Sequence, residues 1–92
     1  MGVKVKLFAS FQEMAGTEQV EMEVSNVGEI LHQLADRFPR LESEMFTSPS
    51  RDKLRSKVKV MVNGRNIEFI DGLNTKVESG DRVAVFPPIA GG

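Results

Sequence analysis

Only one stretch of this chain repeats its apolar residues at helical spacing over several turns. Val27, Ile30, Leu31, Leu34, Ala35 and Phe38 fall along one side, and Pro39 stops the run. Asn26, with Glu29 three residues later, reads as a capping box at the start, Asn standing in place of Ser or Thr. One amphipathic helix cannot bury its stripe against nothing, so the remainder of the chain must supply a sheet for it to cover. The only histidine, His32, falls on the polar side of the stripe, which makes it structural or neutral.

The flanking segments have the period of strands. Val3, Val5 and Leu7 alternate with Lys4 and Lys6, and Val20, Met22 and Val24 alternate with Glu21 and Glu23. Paired as a hairpin, these strands put Lys4 and Lys6 on the same face as the glutamates. Between them, residues 9–15 suit one or two helical turns, with Phe8, Phe11 and Ala15 on one side and Gly16 closing. Beyond the helix, Leu41, Met45 and Phe46 read as a short helical turn tucked under the sheet, and residues 47–50 as a loop. Val58, Val60 and Val62 make a third strand, and Asn63 followed by Gly64 is a strong hairpin signal. Residues 65–69 then read as the return strand, 73–77 as a short extended piece, 78–81 as a turn and 82–86 as the last strand. Gly64 and Gly80 mark turns and make no phosphate-binding loop.

Two strands, one helix and further strands predict an α+β chain of the β-grasp, or ubiquitin-like, type. Its mixed sheet has four to five strands, with one main helix packed across it. A right-handed crossover places the last strand parallel to the first, so the chain leaves from the middle of the sheet.

That exit carries the chemistry. The last strand runs into Pro87 and Pro88 and then Ile89, Ala90, Gly91 and Gly92. Proline has no backbone N–H, so two in succession end sheet pairing and turn the chain outward. A folded domain over residues 1–87 is expected, with a tail over 88–92 that spans about 17 Å when extended. Ile89, Ala90 and Gly91 fit a partner's channel, where the absence of a Cβ at Gly91 and Gly92 matters most. Gly92 delivers a carboxylate. A carboxylate is a poor electrophile, so another protein must activate it with ATP as an acyl-adenylate. Sulfur then converts it to a thiocarboxylate, or a lysine amine takes it as an isopeptide. A frayed end or cloning remnant is the plainer alternative, but it leaves the strand and the Pro-Pro exit without a reason.

The residues from Asp81 through Val83, Ala84, Val85, Phe86, Pro87 and Pro88 to Gly92 resemble the end of the MoaD/ThiS-type ubiquitin-like family. Within it they are similar both to the molybdopterin synthase small subunit and to the small archaeal ubiquitin-like modifiers. Val5, Lys6, Leu7, Phe8 and Ala9, followed by Glu13, Met14, Ala15 and Gly16, are similar to the family's opening. The resemblance covers nearly the whole chain and is most specific in the tail. It implies an E1-like adenylating enzyme as partner, together with target-protein lysines, the large subunit of molybdopterin synthase, or both. The thiazole-pathway sulfur carriers also end in Gly-Gly but usually lack the Phe-Pro-Pro lead-in. Bacterial molybdopterin-synthase small subunits usually have a shorter segment over 39–56, so the length here resembles the archaeal modifiers more.

Several other classes find no support. The chain has no cysteine, which excludes disulfides, thiolate metal sites and Cys nucleophiles. Any sulfur it carries must therefore sit on the C-terminal carbonyl. No metal-ligand spacing, paired carboxylates or Ser/His/Asp set appears, so a carrier that binds no cofactor and has no catalytic residue is expected. No signal peptide and no membrane-length apolar run is present, which points to the cytoplasm. Residues 1–50 hold four basic and eight acidic side chains, and residues 51–92 hold eight and five. Arg51, Lys53, Arg55, Lys57 and Lys59 alternate without interleaved aromatics, which suits a solvated loop entering a strand, or partner docking, better than nucleic acid. Val83 and Val85 are expected to face the helix. Ala84 and Phe86 then lie on the open face near Met61, as a partner-docking patch. The alternative is that Phe86 is covered by the 39–56 loop or by its own Pro-Pro turn. A non-covalent interaction module remains the third functional reading.

Overall fold

The computed structural model describes residues 2–88. Its strands are β1 (Val3–Leu7), β2 (Gln19–Met22), β3 (Lys59–Val62), β4 (Arg65–Asn66) and β5 (Arg82–Phe86). They form one mixed sheet in the order β2-β1-β5-β3-β4. β5 lies in the middle, parallel to β1 on one side and antiparallel to β3 on the other. The helices are α1 (Ala9–Ala15), α2 (Val27–Arg37) and α3 (Glu42–Met45). This is the β-grasp architecture, with α2 as the main helix.

The core follows from the two periods. β1 alternates buried and exposed residues without interruption. Val3, Val5, Leu7, Val60, Val83 and Val85 come together with Val27, Ile30, Leu31 and Leu34 in one buried cluster. Burying each such aliphatic side chain contributes roughly 1.5–3 kcal/mol. Leu41, Met45 and Phe46 join the same cluster as expected, through a 3-10 turn over Pro39–Leu41 that runs directly into α3. The segment after Pro39 is therefore partly core.

Asn26 caps α2, its Oδ1 accepting from the Glu29 N–H at 2.9 Å. Glu29 reaches one residue further back than the box motif describes. Its Oε1 accepts from the Ser25 N–H at 2.7 Å and the Ser25 hydroxyl at 3.0 Å. The backbone bond first, and the hydroxyl second, hold the Glu29 carboxyl below its ordinary value.

Two extended segments are shorter than the periodicity predicts. The return strand expected over 65–69 stops at Asn66, and Ile67–Phe69 is a 3-10 turn. The cause is local: the Asn66 side chain accepts from the Glu68 N–H at 2.9 Å, which bends the backbone off the ladder. Likewise, the expected extended piece over 73–77 begins as a 3-10 turn over Gly72–Asn74. Its later part forms a single antiparallel bridge between Lys76 and Asn26. The Val27 N–H donates to the Thr75 carbonyl at 2.9 Å and the Val77 N–H to that of Ser25 at 3.0 Å. These bonds tie the start of α2 to the chain that enters β5. At the β3–β4 turn, Asn63 and Gly64 take φ of 50° and 86°, the left-handed values a two-residue hairpin loop requires.

Candidate functional site

β5 divides its residues between the two faces of the sheet. Val83 and Val85 are buried toward α2, whereas Ala84 and Phe86 are half-buried on the other face. Pairing in register sets Met61 of β3 opposite Ala84 and Lys59 opposite Phe86. On the other flank, Lys6 of β1 lies opposite Ala84 and Lys4 opposite Arg82. Met61, Ala84 and Phe86 thus form one apolar strip, with Lys4, Lys6, Arg82 and Lys59 around it. Lys4 and Arg82 are like charges in adjacent register, an arrangement that does nothing for sheet stability.

Phe86 has a cover outside the alternatives named above. Its ring stacks on Phe8, with centroids 4.4 Å apart and planes 16° from parallel. The Lys6 ammonium lies 5.5 Å from the Phe8 centroid. Helical spacing places Phe8 on one side with Phe11 and Ala15 and does not reveal this stack. The available signal was the parallel crossover. Leu7 pairs with Val85, so the residues that follow them meet at the end of both strands. Ala9, next to Phe8, starts α1 at a φ of 50°, a left-handed backbone that costs an alanine of the order of 1 kcal/mol.

Two shallow grooves meet on this strip. One, of about 810 Å³, is lined by Lys4, Lys6, Arg82, Met61, Ala84 and Phe86 among others. The second, of about 730 Å³, is lined by Phe8, Ala9, Met61, Phe86, Pro87 and Pro88, with Lys57 and Lys59 along its edge. They share Met61 and Phe86, so the open face is continuous with the tail exit. Pro87 is buried and Pro88 exposed. Ile89, Ala90, Gly91 and Gly92, the proposed channel-fitting tail and its activated terminus, lie outside the described residues.

Among the described residues, no group of three or more His, Asp or Glu side chains is placed to hold a metal ion. No helix among them is long and apolar enough to cross a membrane. His32 lies edge-on to Phe46 at 5.7 Å, and its Nε2 is 3.3 Å from the Arg51 carbonyl oxygen.

Arg51 departs from the expectation of a solvated basic run. Its Nε donates to Glu42 Oε1 and its Nη1 to Asp36 Oδ1, both at 2.8 Å, and Nη1 also reaches the His32 carbonyl at 3.3 Å. These bonds, with Glu42 first and Asp36 second, raise the guanidinium pKa further above its ordinary value. Alternation along the chain cannot reveal such a partner set, because Asp36 and Glu42 reach Arg51 through the fold.

The family model described as the ThiS family matches residues 5–92. Small archaeal modifier protein 3 of Haloferax volcanii is 32% identical over 95 residues, covering all of both chains. The molybdopterin synthase sulfur carrier subunit of Mycobacterium tuberculosis is 35% identical over 94 residues, covering 98% of this chain and 96% of that one. Among solved structures, small archaeal modifier protein 1 of Methanosarcina acetivorans superposes with a TM-score of 0.88 at 33% identity, over 98% of this chain and 95% of that one. The BexX/CysO complex of Amycolatopsis orientalis contains a chain similar at a TM-score of 0.83 and 26% identity, over 98% and 99%.

Proposed function

The chain belongs to the ThiS family, and from that membership we propose that it is a ubiquitin-like modifier activated at its C-terminus. In this reading an E1-like enzyme uses ATP to adenylate the Gly92 carboxylate, releasing pyrophosphate. A target lysine amine then attacks the carbonyl, AMP leaves and an isopeptide forms. The same adenylate, attacked by hydrosulfide, loses AMP and becomes a thiocarboxylate. The chain itself is the carried group and not the catalyst, as its relatives are carriers and modifiers.

One observation carries the reading: the segment that ends in Gly-Gly continues from the end of the central strand. β5 is hydrogen-bonded on both sides, Pro87 is buried at its end, and Pro88 is exposed. A partner that seats the apolar strip of Met61, Ala84 and Phe86 therefore also meets Pro87 and Pro88 at the root of the tail. Ile89, Ala90 and Gly91 enter its channel, and Gly92 arrives at the reacting centre. ATP belongs to the partner, and the cytoplasm is where this chain is expected to work.

A second reading has its own support in the molybdopterin synthase sulfur carrier subunit that this chain resembles at 35% identity. There the thiocarboxylate would be donated in the active site of a large synthase subunit, for molybdenum cofactor biosynthesis. Mass spectrometry on tagged protein recovered from its own host separates the two. Lysines of other proteins bearing a C-terminal fragment of this chain are expected of the modifier. Free protein heavier by the oxygen-to-sulfur difference at Gly92, without conjugates, makes it a sulfur carrier. A terminus untouched in both respects leaves only a non-covalent interaction module.

A further inference from the structure

The segment between α3 and β3 has no part in the mechanism above, yet its construction is specific. Phe46 and Leu54 form an antiparallel bridge. The Thr47 N–H donates to the Lys53 carbonyl at 3.0 Å, and the Arg55 N–H to that of Met45 at 2.8 Å. Residues 46–55 are thus a small flap folded back on α3. Arg55 closes its base, its Nε donating to the Ser43 carbonyl at 2.7 Å.

At the flap's tip, Arg51 sits at a φ of 57°, a left-handed backbone unfavourable for a residue with a Cβ. Its side chain offsets that strain. It is tied to Asp36 and the His32 carbonyl on α2 and to Glu42 on α3, and it is only 18% exposed. A strained backbone persists only where its surroundings over-determine it, and such places concentrate where geometry matters to function. The base of the flap adjoins the tail. Thr47, Arg55, Ser56, Lys57 and Pro88 line a hollow of about 300 Å³. Pro88 also lines the larger groove, together with Phe8 and Ala9. The root of the tail therefore has two walls, the start of α1 and the base of the flap.

We infer that the 46–55 flap is a specificity element that forms the second wall of the seat in which the activating enzyme grips the tail root, and that Arg51 is its positioning residue. The inference rests on the C-terminal activation proposed above. The flap base presents Arg55 with Lys57 beside Pro88, so the enzyme surface that fits here bears carboxylates next to the mouth of its tail channel. Arg51 acts through the flap; it holds the wall where the enzyme expects it.

The test uses the full-length chain and the purified E1-like adenylating enzyme of its own host, followed by ATP–pyrophosphate exchange. Arg51→Gln removes the ion pairs while leaving the core intact. Amide exchange over residues 47–54 is expected to quicken by an order of magnitude, with α2 and the sheet unchanged. The KM for the carrier is expected to rise about fivefold with kcat preserved, the signature of lost ground-state docking. Ser56→Glu puts a carboxylate at the hollow without touching Arg51; it is expected to raise KM while leaving flap exchange as in the parent. A loosened flap with KM within about twofold of the parent overturns the inference, as does unchanged flap exchange in Arg51→Gln or an unchanged KM in Ser56→Glu. Pyrophosphate exchange absent with the unaltered chain sinks the activation reading itself, and this one with it.

Discussion

Phe86 belongs at once to the central strand and to the surface. Its ring is half-buried because Phe8 lies against one face of it, which leaves the remainder to the groove at the tail exit. The pair therefore supports both local stability and the shape of the apolar strip. A double-mutant cycle of Phe8→Ala and Phe86→Ala in urea denaturation is expected to give a coupling of about 0.5–1.5 kcal/mol, beyond the area each ring buries. Additive losses would mean that the stack holds nothing. Met61, Ala84 and Phe86 were legible in the sequence because period-2 alternation states which face each residue takes. Phe8 was not, since its partner is 78 residues away and only the parallel register brings the two together. Arg51 was hidden for the same reason, its partners lying on two different helices.

At the scale of elements, α2 depends on a cap that joins it to the chain before β5. Asn26→Ala is expected to cost about 1 kcal/mol by chemical denaturation. The Glu29 carboxyl makes a pH prediction with a definite sign. Its pKa is lower folded than unfolded, so the Ser25 bonds contribute stability that is fully present above its ordinary value of 4.5. That contribution fades as pH falls through the lower, folded value. Glu29→Gln is therefore expected to narrow the gap to the parent on acidification from pH 5 downward, and a gap constant with pH would refute it. The segment after α2 is a second case. Phe46 is buried in the main cluster, so Phe46→Ala should cost roughly 3–5 kcal/mol, whereas a solvated loop would show almost none. Helix boundaries were readable because Asn26 and Pro39 act locally. The lost return strand was not, because Ile67 and Phe69 have the composition of a strand while Asn66 hydrogen-bonds to the backbone two residues on and ends the ladder first.

In the proposed function the chemistry falls on residues 89–92, beyond the described residues 2–88. Removing residues 89–92 is expected to leave the denaturation midpoint where it was while abolishing pyrophosphate exchange. A clear drop in the midpoint would make the tail part of the fold. The order of elements was enough to foresee a mixed sheet with β5 beside β1, because right-handed crossovers leave few alternatives. It did not foresee that Lys4 and Lys6, from the acidic half of the chain, would join Lys59 and Arg82 around one strip.

The parallel pairing of β1 and β5 also decides how the domain bears load. The chain enters the sheet at Val3 and leaves it at Phe86, on neighbouring strands that point the same way. Tension between those two residues drives the strands past one another lengthwise, so all the rungs between them are strained together. Drawing apart the ends of an antiparallel hairpin breaks its rungs one at a time. Stretched in an optical trap between residues 3 and 86, the domain should give way at a markedly higher force than when stretched between residues 3 and 22, where β1 and β2 peel apart. A cargo hung from the tail would then be attached to a mechanically stiff handle, and a motor hauling on the far end would meet the sheet along its most resistant axis.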